Sequence, residues 1–164
     1  MKNHGRVEVL VNNAGFSVAG FGDDLHLHEI RHQFETNFFG NVAMSKAVLT
    51  TMRRQQSGHI IQVASVAGRL GQPLLGAYCS STHALEGFSE SLCIETHSLG
   101  IRVVIVEPGT IDTDIWTRNV TIAKGGRDPH SPNKEESTLR RVHQEKCQTA
   151  ARRARGRSTH PAYR

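Results

Sequence analysis

The chain reads as an α/β protein with a parallel sheet and helices on both faces. Three observations lead there. Short apolar runs at 7–13, 58–65 and 101–109 each close on a turn signal or a small polar residue. Two long stretches between them, 26–56 and 77–100, place apolar residues at helical spacing. The two kinds of segment alternate with short connections, and that alternation puts strands in parallel with crossover helices packed on the sheet.

The first run, "VEVLVNN" at 7–13, is a short, largely apolar strand closed by two asparagines. Parallel strands are covered on both faces and therefore show runs of hydrophobics rather than alternation. "AGFSVAGFGDD" at 14–24 has the composition of a glycine-rich loop. Across 26–56, Leu27, Ile30, Phe34, Phe38 and Val42 step by three and four residues and make one apolar stripe, which predicts a single long helix. Gly40 is tolerated inside it where another backbone comes close. "GHIIQVAS" at 58–65 is the second strand, and 66–76 is a loop. In 77–100, Tyr78, Leu85, Phe88, Leu92 and Glu95 lie along related helical faces, and Gly100 is a good stop. "IRVVIVEPG" at 101–109 is the third strand, ended by Pro-Gly.

Beyond about residue 118 the pattern fades. A loop-like stretch leads to one polar helix expected over 137–157, capped by Ser137, and then to an end on which no structure is forced. The expected organisation is a folded domain at 1–120 and a basic, partly helical tail at 121–164. Charge follows the same division. Residues 1–118 hold nine Lys and Arg against eleven Asp and Glu, while 119–164 hold eleven against four, so the whole basic excess behind the net +5 lies in the tail. That tail lacks the aromatic residues interleaved with cations that nucleic-acid surfaces use, so no nucleic-acid partner is expected.

No run of eighteen apolar residues occurs and the start lacks a leader-like apolar stretch, so no membrane partner is expected. Cys79, Cys93 and Cys147 are few, odd in number and far apart, which points to free thiols and to the cytoplasm. His26, His28 and His32 form the densest histidine group. Only His28 and His32 share a helical face and no third ligand is placed, so no metal is expected.

Four short patterns lie in register with these elements. "NNAG" at 12–15 follows the first strand, and "NFFG" at 37–40 lies in the first helix. Ser65 ends the second strand thirteen residues before Tyr78, and "PGTIDT" at 108–113 follows the third strand. Together they resemble the short-chain dehydrogenase/reductase family over roughly residues 5 to 120. The resemblance implies a Rossmann-type three-layer αβα fold, present in part and carrying the equivalents of strands four to six. It also implies an oxidoreductase that moves hydride between NAD or NADP and a small-molecule alcohol or ketone, and a homodimer built through the two long helices.

The resemblance assigns roles residue by residue. Tyr78 is the acid/base that takes or gives the substrate proton. Ser65 hydrogen-bonds the substrate oxygen. Asn37 holds a water in the proton relay. Asn13, Ala14 and Gly15 line the adenosine side of the cofactor. Pro108, Gly109, Ile111 and Thr113, with Tyr78, hold its nicotinamide end.

Two features depart from the family pattern. The family's lysine, four residues after the tyrosine, is Thr82 here. A threonine cannot lower the phenol's pKa as an ammonium does. His83, one residue on, is rotated by about 100° along the helix and points elsewhere. The glycine-rich TGxxxGxG turn that cradles the pyrophosphate does not occur in this sequence. Both departures lead to the expectation of a truncated chain with impaired activity, sparingly soluble alone or rescued by dimerisation. The alternative is an inactive relative that acts by pairing with intact family members.

Overall fold

The computed structural model describes residues 5–111, 113, 115 and 118–123. Three strands, β1 (Val9–Asn12), β3 (Gly58–Val63) and β4 (Ile101–Val106), form one fully parallel sheet in the order β1-β3-β4. Val11 pairs with Ile61 and Ile61 with Val104, so the strands run in step. The connections are helical: α1 (Leu27–Phe34), a π-helical segment (Glu35–Gly40) and α2 (Asn41–Gln55) before β3, and α3 (Gly76–Thr96) before β4. The predicted parallel α/β architecture is what forms.

One predicted loop is partly a strand. Ser17–Ala19 is β2, and it pairs in parallel with β5 (Val120–Ile122) in a second, two-stranded sheet. The glycines flanking β2 read as loop, yet Gly20 is there for packing: a Cβ on it would fall 2.5 Å from that of Ala123. β5 also shifts the expected boundary at residue 120. The folded unit continues through it, with the Ala123 amide donating to the Ala19 carbonyl at 2.8 Å. The expected helix at 137–157, its cap Ser137 and the third cysteine, Cys147, lie outside the described residues.

Both packed helices cover the same face of the larger sheet. Leu49 and Met52 of α2 and Leu92 of α3 meet Ile60 and Ile101 in one cluster, flanked by Leu10 and Val103. Glycine makes the closest approach possible, since a Cβ on Gly58 would strike the Met52 sulfur at 2.5 Å. After α3 a 3-10 turn, His97–Leu99, ends on Gly100, which has φ +68°, and a Cβ there would collide with the Gln56 carbonyl. It is the helix stop that the sequence predicts. On the opposite face Val9 and Val11 are half exposed, and Val104 and Val106 are also open to solvent. The second covering layer of the expected three is not present among the described residues.

The inward face of the first helical stretch is not the apolar stripe. Leu27 is exposed, while Glu29, Gln33, Asn37, Asn41 and Ser45, each four residues from the last, are buried. The reason lies in what this face meets. It packs against the backbone of the β1–β2 segment, whose unpaired groups need polar partners. Gln33 accepts from the Val18 amide at 2.6 Å and donates to the Phe16 carbonyl at 2.7 Å. Asn12 of β1 donates to Ser45 and to Gln62, joining this polar row to the sheet. The aromatic residues of the predicted stripe turn sideways instead: Phe38 packs edge-on against Phe34 and against Phe88 of α3. The helix is also not continuous, because Glu35–Gly40 widens to π geometry. At Gly40 the nearby backbone is the segment's own Glu35 carbonyl, 3.3 Å from where a Cβ would stand, rather than that of another element.

Candidate active site

The sequence-predicted site residues come from five places in the chain and meet at one cleft. Its cavity, of about 290 Å³, is lined by Asn13, Ala14, Gly15, Asn37, Ser65, Tyr78, Pro108, Gly109, Ile111 and Thr113, every residue expected there. Asn41, Thr82 and Leu85 line it as well. The sequence patterns did not single out Asn41, although its spacing of four from Asn37 places it on the same side of a helix. The cleft opens beyond the carboxyl ends of β1, β3 and β4, which is where parallel α/β sheets bind ligands.

Parallel pairing sets each wall. β1 ends at Asn12, so Asn13, Ala14 and Gly15 turn across the top with little side-chain bulk. β3 ends at Val63, and Ser65 begins a 3-10 turn, Val66–Gly68, accepting the Ala67 amide at 3.2 Å. β4 ends at Val106, and the Pro108 carbonyl accepts the Val66 amide at 3.1 Å, which ties the two strand ends together. Tyr78 stands in the first turn of α3, buried among Ala19, Ala67, Leu75 and Cys79. The residue before this helix's N-cap, Leu74, holds a left-handed φ of +66° while its carbonyl accepts the Gly20 amide at 2.8 Å.

The phenol is held by opposing influences. Burial pushes the Tyr78 pKa above its ordinary value, and a hydrogen bond with Ser65 pulls it down. Tyr78 is the sole titratable group among the described residues that line the cleft. Thr82 adds no charge, and its hydroxyl is spent on the Tyr78 carbonyl, to which it donates at 2.8 Å. His83 turns away to the Cys79 carbonyl, with Nδ1 at 2.8 Å.

Asn37 is buried and braces the cleft's first wall. Its Nδ2 donates to the Phe16 carbonyl at 2.9 Å and its Oδ1 accepts the Phe16 amide at 3.2 Å. The amide is therefore largely committed to the loop, and its backbone carbonyl accepts Asn41 Nδ2 at 2.7 Å. The histidines expected to share a helix face do not converge. His28 stacks on His26 and His32 packs on Phe16. Among the described residues no group of three His, Cys, Asp or Glu is placed to hold a metal, and no helix is long and apolar enough to cross a membrane.

One carboxylate near the site is costly. Glu86, two turns after Tyr78, is buried with neither oxygen hydrogen-bonded. Burial pushes its pKa up; Glu107 and Glu90 add to the rise, and Arg69 and His83 oppose it. A carboxyl raised in the folded state favours folding fully below its ordinary pKa of about 4.3, and that advantage is lost as pH rises through the raised value. Glu86→Gln, which imitates the protonated acid, is therefore expected to unfold at a higher temperature than the parent at pH 7. The gap should close as pH falls to about 4. A variant less stable than its parent at pH 7 would show that the Arg69 charge outweighs the cost of burial.

The comparisons with known proteins agree with this geometry. The family model described as short chain dehydrogenase matches residues 1–122. The uncharacterized oxidoreductase YusZ of Bacillus subtilis is 45% identical over 115 residues, 70% of this chain and 41% of that protein. A short-chain dehydrogenase structure from Streptomyces avermitilis is 32% identical with a TM-score of 0.75, over 92% of this chain and 57% of that one. The structure of ElxO with NADP bound is 32% identical with a TM-score of 0.64, over 66% of this chain and 44% of that one. The chain thus spans about half the length of the relatives it matches. With the family model covering most of the chain, and with the parallel sheet, the cleft at its carboxyl end and the Ser65–Tyr78 pair in place, the chain belongs to the short-chain dehydrogenase family.

Proposed function

We propose that this chain carries the acid/base part of an NAD(P)-dependent oxidoreductase site that interconverts an alcohol and a ketone. The observation that carries the reading is the Ser65 hydrogen bond to a buried Tyr78 at the wall of the cleft. The residues present fit the nicotinamide end of the cofactor. Gly109 leaves the backbone approachable there, and Thr113 adds a hydroxyl beside Ile111, while Ala14 and Gly15 keep little bulk on the side assigned to the adenosine. NADP in the related ElxO structure supports the same choice of cofactor class.

The bound cofactor supplies the hydride acceptor or donor. The chain supplies the proton chemistry and the orientation. In oxidation, Tyr78 Oη takes the proton of the alcohol hydroxyl as the carbon–hydrogen bond breaks; in reduction it returns the proton to the carbonyl oxygen. Ser65 Oγ hydrogen-bonds the same oxygen and stabilises its partial charge. Asn37 fixes the Phe16 backbone and so the first wall, with one N–H of Nδ2 and one lone pair of Oδ1 beyond those two bonds to meet a water. Leu85 and Ile115 supply apolar lining that favours a substrate with some hydrocarbon character.

The reading is tested by following nicotinamide absorbance with a panel of secondary alcohols and their ketones. Tyr78→Phe is expected to lower turnover by about 10²–10⁴-fold with little change in unfolding temperature. Equal turnover in the variant and its parent would remove Tyr78 from the reaction.

Thr82 supports a second reading, in which the chain turns over poorly and acts by association. Phe39 and Met44, on or beside α2, and Ile94 on α3 expose apolar side chains, which a homodimer or a mixed dimer with an intact relative would cover. Light scattering on the chain alone and after co-expression with such a relative separates the two: recovery only as a mixed dimer, with no turnover alone, favours association. In either reading the cytoplasm is the proposed location.

A further inference from the structure

We propose that Arg69 is a positioning residue for the Ser65–Tyr78 pair, one guanidinium tying together the three segments on which the cleft stands. The proposal rests on the proposed function only in naming that pair as the reacting one. Arg69 follows the 3-10 turn that Ser65 begins, and its amide donates to the Val66 carbonyl at 3.1 Å. Its side chain then reaches two other elements. Nε and Nη2 both donate to Glu107 Oε1, at 3.1 and 3.0 Å. Nη1 donates to Glu90 Oε1 at 3.0 Å, and Nη2 lies 3.3 Å from Glu86 Oε2. Glu107 sits between the end of β4 and Pro108, while Glu86 and Glu90 follow Tyr78 by eight and twelve residues along α3.

Each segment held by Arg69 therefore carries a cleft residue: Ser65, Tyr78 or Pro108. Exposed ion pairs taken singly contribute little. Here they share one planar fork, and one partner is a buried carboxylate without a hydrogen bond, so their value lies in fixing direction. Packing reports the same constraint, since a Cβ on Gly68 would meet Glu86 Cγ at 2.7 Å and Thr82 Cγ2 at 3.1 Å. The turn lies so close to α3 that a small rotation of it moves Ser65 relative to the phenol. A lysine at position 69 offers a single ammonium and cannot span Glu107 and the α3 carboxylates together.

The test uses the full chain with ¹³Cζ-labelled tyrosine at neutral pH, where the Tyr78 resonance reports hydrogen bonding at the phenol oxygen. The sequence has two tyrosines, and Tyr78→Phe assigns the signal. Arg69→Met is expected to shift the Tyr78 resonance in the direction of Ser65→Ala, and Arg69→Lys should not restore it. The double variant Arg69→Met/Ser65→Ala should coincide with Ser65→Ala alone, because the effect of Arg69 passes through the serine. No shift in Arg69→Met, restoration by lysine, or a shift that adds to that of Ser65→Ala would overturn the proposal. If Arg69→Met does not fold, Glu107→Gln takes its place in the same cycle: a shift in the direction of Ser65→Ala that the double variant does not exceed is expected, and no shift or an additive one would overturn the proposal. Turnover plays no part in this measurement, so it stands or falls apart from the enzymatic reading.

Discussion

Thr82→Lys is expected to raise alcohol oxidation by about 10²–10⁴-fold, the size of a general acid/base contribution. The argument is local. Thr82 lines the cleft one helical turn after Tyr78 and is buried. It brings no charge to a phenol that burial has already pushed up, and its hydroxyl is occupied by the helix backbone. An ammonium at this position stabilises the phenolate directly and lowers the phenol's pKa, so more of the protein carries the base form at neutral pH. The rise should be largest at neutral pH and shrink toward alkaline pH, where the parent's phenol begins to ionise without help. A pH profile of turnover for parent and variant checks this. Parallel profiles with equal rates would mean that Tyr78 is not limited by its proton affinity.

Ile60→Ala is expected to cost about 3–4 kcal/mol of stability, within the range for emptying a buried aliphatic site. Ile60 is fully buried in the central strand, with Leu49 and Met52 on one side and Leu92 and Ile101 on the other. Ile60 and these neighbours belong to four different elements, so the cavity cannot collapse by one small shift. Val11→Thr is the control. Val11 is a strand residue of similar size, but it is 55% exposed on the opposite face. Its substitution should change stability by less than about 0.5 kcal/mol in the chain alone. Denaturant titration of both variants tests the one-sided packing. A large cost at Val11 would mean that this face is covered in solution, by a second copy or another partner.

Much of this was legible in the sequence, for identifiable reasons. The three sheet strands announce themselves because each is short, apolar and closed by a turn signal. Ser65, Tyr78, Asn13 to Gly15 and Pro108 to Thr113 could be named together because their short patterns resemble those of the family, and parallel strands then bring the segments that carry them to one edge. The inward face of α1 and α2 was not legible. Periodicity identifies the apolar stripe, but Gln33 and Asn37 face inward to satisfy the backbone of a neighbouring loop, and Asn41 turns inward onto the Asn37 carbonyl of its own helical stretch. Such demand is a tertiary property and leaves no hydrophobic period behind. β2 escaped for a related reason: a strand of three residues in a glycine-flanked stretch carries no strand signal until β5, about a hundred residues later, pairs with it. Arg69 gave no sign either, because its three carboxylate partners lie 17 to 38 residues away in the chain.

The central claim is that Tyr78 moves the proton that accompanies hydride transfer between an alcohol carbon and a nicotinamide cofactor. Its most direct test is isotope transfer. The purified chain and its Thr82→Lys variant would each be incubated with NAD⁺ or NADP⁺ and a secondary alcohol deuterated at the carbinol carbon. Deuterium is expected in the reduced nicotinamide, more from Thr82→Lys than from the parent, and in neither once Tyr78 is phenylalanine. No deuterium transfer from either protein, or transfer that persists undiminished in Tyr78→Phe, would contradict the account.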